Sequence, residues 1–143
     1  MQKMQTFAVV AVAASFFFAA GPVSHAQIIG HVDADIHHSF MIGNATLPPG
    51  HYVFRMESND LGEMDVMRAD GEAGAQFLVR QSIDSKTPQH TQLVFLRYGH
   101  KEFLEHVYDR DDKMGVTVLE PSRVQALLQK QGDKPIEHTE DQN

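Results

Sequence analysis

Residues 28–42, IIGHVDADIHHSFMI, alternate with period two. The even positions, Ile28 through Val32, Ala34, Ile36, His38, Phe40 and Ile42, form a largely apolar series, and His31, Asp33, Asp35 and His37 form a polar one. Side chains of a strand point alternately to opposite faces, whereas a helix would repeat its apolar positions every 3.6 residues. The stretch therefore predicts one long strand, or two collinear strands with a bend near His38. One face is buried and the other is wet.

The same period continues outward. Gly43 to Gly50 reads as one turn region, with Pro49 fixing φ and Gly50 placed to take positive φ in a type II turn. His51 to Glu57 reads as a strand with Tyr52, Phe54 and Met56 on one face, followed by a turn at Ser58-Asn59-Asp60. A hairpin centred on Asp70-Gly71 pairs Val66 with Ala75, Met64 with Phe77 and Asp65 with Gln76, apolar against apolar and polar against polar. A second, centred on Gly99-His100, pairs Arg97 with Glu102, Leu96 with Phe103 and Phe95 with Leu104. Leu93 to Leu96 is apolar on both faces and so predicts a centrally placed strand. Asp84 to Thr91 is a polar loop, and Val116 to Leu119 reads as the last strand.

Pro121-Ser122 then opens a short helix over Arg123 to Gln131, with Val124, Leu127 and Leu128 at helical spacing and Gly132 as its stop. Residues 132–143 read as a disordered polar tail. The fold expected is all-β, a small antiparallel β-sandwich or barrel of about seven strands with one short C-terminal helix, built as a single domain over residues 27–131.

Before this domain stands a different kind of segment. Lys3, an apolar run from Phe7 to Ala20, the breakers Gly21 and Pro22, and the small residues of Ser24-His25-Ala26 describe a secretory signal peptide, residues 1–26. The run is about 14 residues, short of the roughly 20 that span a bilayer. The mature chain is expected to be exported, periplasmic or extracellular, with no membrane span after signal cleavage. The chain carries 12 Lys and Arg against 19 Asp and Glu, a formal charge of −7, and loss of Lys3 makes it one unit more negative. That balance disfavours nucleic acid and anionic membranes as partners. With no Cys, stability rests on packing, a bound ion or self-association rather than on disulfides.

Two blocks carry a resemblance. Phe40-Met41-Ile42-Gly43-Asn44 with Leu47-Pro48-Pro49-Gly50-His51-Tyr52 resembles the pattern F-x-V-G-N-x-x-L-P-A-G-x-Y. Leu93 to Gly99 with Phe103-Leu104 resembles L-V-F-x-R-Y-G-x-x-Y-F-L. Both are similar to an uncharacterised family of small exported β-rich bacterial proteins. The resemblance spans Val32 to Leu128 and implies export and a β-rich domain, but no catalytic or binding residue. Pro49 stands where the pattern has Ala, and Tyr108 where Trp is expected.

Candidate chemistry concentrates in the histidines, nine in all, of which only His25 lies in the signal. His31, Asp33, Asp35 and His37 are candidate metal ligands. Strand geometry limits them: neighbours two apart are separated by about 6.7 Å, but His31 and His37 by about 20 Å, far beyond metal-bond reach. At most they make two half-sites, His31/Asp33 and Asp35/His37, each needing partners such as His51, His90, His100 or His106 from another strand. The plainer reading is a solvated strand face; a third is a proton-linked face on which His31 and His37 offset the Asp pair. His38 falls on the apolar side, which suggests a partly buried imidazole held by a backbone carbonyl, a bend that turns it outward, or a ligand. His106, between Leu104 and Tyr108, raises the same question.

No catalytic arrangement emerges: no Cys nucleophile, no G-x-S-x-G, no phosphate-cradling Gly-rich loop. The reading reached is a non-enzymatic binding or structural protein of the cell envelope or secretome. Its partner would be an envelope protein or a small ligand, and an edge strand could support self-association. The alternative is a metal-binding protein that uses the His/Asp pairs for a divalent transition metal. A small carboxylate-based hydrolase comes third.

Overall fold

The computed structural model describes residues 30–56, 62–119 and 122–143. The signal segment, the turn at Ser58-Asn59-Asp60 and the helix-opening Pro121 lie outside the described residues. The predicted first strand is two, β1 (His31–Ile36) and β2 (Phe40–Ile42), interrupted at His37–Ser39. Then come β3 (Ala45–Leu47), β4 (Gly50–Met56), β5 (Glu63–Arg68), β6 (Gly74–Ile83), β7 (Thr91–Tyr98), β8 (Lys101–Tyr108) and β9 (Met114–Val118). Helix α1 (Arg123–Lys130) and strand β10 (Ile136–Gln142) close the described chain.

The all-β class with one short helix holds, with ten strands rather than about seven among the described residues. One of the additional strands is β3. It forms because Gly43, at φ +55°, makes a two-residue turn with Asn44 that pairs Ile42 with Ala45. Positive φ therefore sits at Gly43 and not at Gly50, which begins β4. Gly50 instead leaves room for the Arg68 side chain, which a Cβ there would meet at 2.6 Å. The larger correction is the tail. Residues 136–142 are not a disordered segment but a full strand, paired antiparallel with β7 from Ile136↔Arg97 to Gln142↔Thr91.

Both hairpin registers are as expected. Val66↔Ala75, Met64↔Phe77 and Asp65↔Gln76 pair in β5–β6, around a loop in which Gly71 takes φ +78°. Arg97↔Glu102, Leu96↔Phe103 and Phe95↔Leu104 pair in β7–β8, with Gly99 at φ +61° in the turn. The long β6 serves two neighbours, pairing through Gly74 to Leu78 with β5 and through Val79 to Ile83 with β9. Strands β6 to β9 lie in the spatial order β6-β9-β8-β7, a Greek key.

The result is an open antiparallel path, β1-β4-β5-β6-β9-β8-β7-β10, with β2 running parallel to β8 and β3 beside β2. Its two ends meet without a backbone ladder. The Asp35 N–H donates to Gln142 Oε1 at 2.7 Å, so a side chain takes the place of a main-chain bond between β1 and β10. Ile36, Phe40, Tyr52, Phe54, Met64 and Phe95 are each at most 1% exposed and form the centre of the core. Full burial of such side chains contributes about 1.5–3 kcal/mol each. Phe40 packs edge-on against both Tyr52 and Phe95, which ties the short β2 to β4 and β7.

Helix α1 is capped by Ser122, whose side chain accepts from the Gln125 N–H. Asn44 Oδ1 accepts from the Arg123 N–H and holds the helix start to the β2–β3 turn. Leu127 of the expected apolar stripe is exposed, and Gln125 is buried instead. No helix among the described residues is long and apolar enough to cross a membrane.

Candidate metal centre

The outward face of β1 carries His31, Asp33 and Asp35, all exposed. The cross-strand partner sought for that row is His51, opposite Asp35 in the register with β4. His51 Nδ1 lies 2.8 Å from Asp35 Oδ1 and its Nε2 lies 3.6 Å from Asp33 Oδ1, while His31 Nε2 lies 3.0 Å from Asp33 Oδ2. The four side chains form a chain of pairs and do not converge on one point. His37 stands beyond the end of β1, exposed, and lines a cleft of about 450 Å³ together with Asp33, Asp35, His51, Glu140 and Gln142. His90 and His100 are exposed on the loop before β7 and in the β7–β8 turn.

A second cluster begins at His38, inside the break between β1 and β2. Ile36 and Phe40 on either side are buried, and His38 follows the same period-two direction inward. Its ring meets Phe95 edge-on at 4.9 Å. Its Nδ1 lies 3.2 Å from the Ser39 carbonyl, the satisfying contact expected for a half-buried imidazole. Its Nε2 is turned toward Glu140, whose Oε1 is 2.7 Å away.

Strand β10 supplies the next two groups. His138, Glu140 and Gln142 are half-buried on its inner face, and Ile136, Glu137, Thr139 and Asp141 are exposed. The register sets His138 opposite Phe95, with ring centroids 6.2 Å apart. Glu102 comes from β8, opposite Arg97. Arg97 Nε donates to Glu102 Oε1 at 2.5 Å, and its terminal nitrogen lies 3.1 Å from His138 Nδ1.

Each of His38, Glu102 and His138 brings one donor atom to within 4.8 Å of the other two, the one such group of three among the described residues. Glu102 is only 8% exposed at its side chain, and its Oε2 is buried with no hydrogen-bond partner. A buried carboxylate oxygen without a donor carries a desolvation cost that a cation or a proton would relieve. Bonds of about 2.1 Å in a tetrahedral shell put ligand atoms about 3.4 Å apart. Glu140, 18% exposed, lies beside this group, 3.8 Å from His138 Nε2, the ring nitrogen opposite the one that faces Glu102.

Two further residues mark the far end of β8. Burial pushes the Glu105 carboxyl up, with Arg80 opposing and Glu137 reinforcing the rise. Burial pushes the His106 imidazole down, and its Nδ1 lies 2.8 Å from Thr117 Oγ1. His106 is thus a half-buried histidine paired with a hydroxyl, apart from both clusters.

Of the four residues singled out in the first strand, the structure brings His31, Asp33 and Asp35 together with His51 and leaves His37 at the cleft. The inner cluster takes its first ligand from the same stretch, but its other members were hidden. Glu102 registers in the sequence only as the partner of Arg97, and His138 and Glu140 lie in the segment read as tail. The signal available was the period-two spacing of His138, Glu140 and Gln142. No family model, curated protein or solved structure matches this chain.

Proposed function

We propose that the mature chain is an exported, non-enzymatic β-domain that binds a divalent transition metal between His38, Glu102 and His138. The observation that carries this reading is Glu102 Oε2, buried, unpartnered and within a cluster that also holds two imidazoles. Two nitrogen donors and one carboxylate suit borderline ions such as Zn²⁺, Ni²⁺ or Co²⁺, and no thiolate is present to select Cu⁺. The cleft lined by Asp33, Asp35 and His51 reaches Glu140, which gives a cation an acidic approach to the site. The outer His/Asp face thereby becomes part of the entry.

The test is calorimetric titration of residues 27–143 with Zn²⁺, Ni²⁺ and Co²⁺. Saturable one-to-one binding is expected, lost in Glu102→Gln and His138→Gln and retained when Asp33 and Asp35 are both changed to Asn. Equal binding by wild type and Glu102→Gln, or none by either, overturns it. Loss of binding in the Asp33/Asp35 variant alone would transfer the site to the outer face.

A further inference from the structure

We infer that Arg97 is the resident cation of this centre, and that a divalent ion enters by displacing its guanidinium from Glu102 and His138; the inference rests on the metal-binding reading above.

The contacts define the competition. Both acceptors of Arg97 in the cluster are members of the candidate ligand set: Glu102 Oε1 receives its Nε–H, and His138 Nδ1 faces its terminal nitrogen at 3.1 Å. An imidazole nitrogen that accepts an N–H has its lone pair engaged, so it cannot serve a metal at the same time. The two cations therefore draw on the same donor atoms.

Charge points the same way. Glu102 and Glu140 contribute two negative charges, and Arg97 offsets one. A divalent ion added beside a retained guanidinium would leave a part-buried site positive, whereas one that replaces it leaves the two carboxylates balanced. The path out is open on the arginine side. Its side chain is 41% exposed against 8% for Glu102, and its neighbour across the β10 register, Ile136, is 66% exposed. The guanidinium can swing to solvent while Glu102 stays.

The consequence is functional. A site already closed by an internal cation stays folded when metal-free, and each binding event must first break that ion pair, which weakens affinity. Such a centre suits exchange, taking an ion up and handing it on, more than permanent structural retention.

The experiment compares wild type with Arg97→Gln and Arg97→Lys, titrated with Zn²⁺ and with Co²⁺, whose visible absorption reports coordination. The expected result is at least tenfold tighter binding in Arg97→Gln, a larger Zn²⁺-induced rise in Tm than in wild type, and a smaller change in Arg97→Lys. If Arg97→Gln does not fold, the wild-type protein answers by NMR: the Arg97 Nε–H cross-peak is expected to move toward its solvent-exposed position on Zn²⁺ addition. Glu102-dependent binding in wild type with unchanged or weaker affinity in Arg97→Gln, or an Arg97 cross-peak that Zn²⁺ leaves in place, overturns the displacement while the metal centre stands. Absence of binding in every form removes the centre itself.

Discussion

Two groups of imidazole and carboxylate side chains meet at one cleft, and they differ in almost everything except composition. On the outer lip, His31, Asp33, Asp35 and His51 pair along a strand face with side chains 45–65% exposed. In the interior, His38, Glu102, His138 and Glu140 are 8–31% exposed and come from three separate places in the chain. The outer pairs are regularly spaced and solvated, so water screens each charge. The inner group is irregular and leaves a carboxylate oxygen unmatched. Burial and convergence, not the number of potential ligands, separate a site from a polar surface.

The sharpest test of that contrast is the metal affinity of single ligands on each side. Glu102→Gln keeps the shape and removes the charge, and it should weaken Zn²⁺ binding by at least about 100-fold, since even outer-shell changes cost about 10–100-fold. Asp33→Asn should change it by no more than about threefold, because that carboxylate acts through long-range attraction in a solvent-filled cleft. Calorimetry on the two variants side by side measures both. Equal effects would erase the distinction between the clusters.

Stability should follow the same division. In the metal-free protein, Arg97→Gln leaves Glu102 buried with no full cation beside it. Breaking a buried pair costs about 3–5 kcal/mol, and the exposure of the guanidinium lowers the expectation here to about 2–3 kcal/mol. Urea unfolding is the measurement. Adding Glu102→Gln in the same chain should recover most of the loss, since the uncompensated charge and not the missing contact is its cause.

The reasons for what the sequence could and could not reveal are visible in the same residues. Period two carries strand and hairpin information because inner positions are apolar: Met64 facing Phe77 and Phe95 facing Leu104 specify register unambiguously. The tail breaks that rule. In β10 the inner positions are His138, Glu140 and Gln142, so alternation exists without any hydrophobic contrast. What holds the strand is its ladder to β7 together with partners about 100 positions away, such as His38 for Glu140. No local pattern encodes that. His38 did announce itself, as a polar residue on an apolar series, but its partners depend on closing the path from β1 round to β10.

His106 supplies an intermediate case, a half-buried histidine with a hydroxyl partner and no carboxylate in hydrogen-bond contact. Burial holds its pKa below the ordinary 6.5, while Glu137 and Asp84 pull it up and Arg80 pushes it down. A depressed folded-state pKa contributes stability that is present above the unfolded value and lost as pH falls below it toward the folded one. Thermal unfolding in metal-free buffer should therefore show an acid-side loss beginning near pH 6.5 that His106→Gln reduces. Glu105, raised by burial, has the opposite sign: its contribution is present below about 4.5 and lost as pH rises through its folded value. Glu105→Gln should accordingly raise Tm at pH 7. A His106→Gln profile parallel to wild type would show that its burial has no titration consequence.

The smallest effect belongs to the outer face. Asp33 and Asp35 stand on the same side of β1, and His51 sits between them, 2.8 Å from one and 3.6 Å from the other. Exposed pairs of this kind are worth about 0–1 kcal/mol, and removing two like charges from one face also relieves their mutual repulsion. The Asp33→Asn, Asp35→Asn double variant should lie within about 1 kcal/mol of wild type by urea unfolding, against the 2–3 kcal/mol expected at Arg97. What the variant should lose is speed. With the acidic lip neutralised, stopped-flow Co²⁺ association at low salt should slow severalfold, and the difference should fade as ionic strength rises and the Debye length shrinks. A slower on-rate with unchanged dissociation would make the outer cluster the approach to the inner one, and an unchanged on-rate would leave it as solvated strand surface with no part in binding.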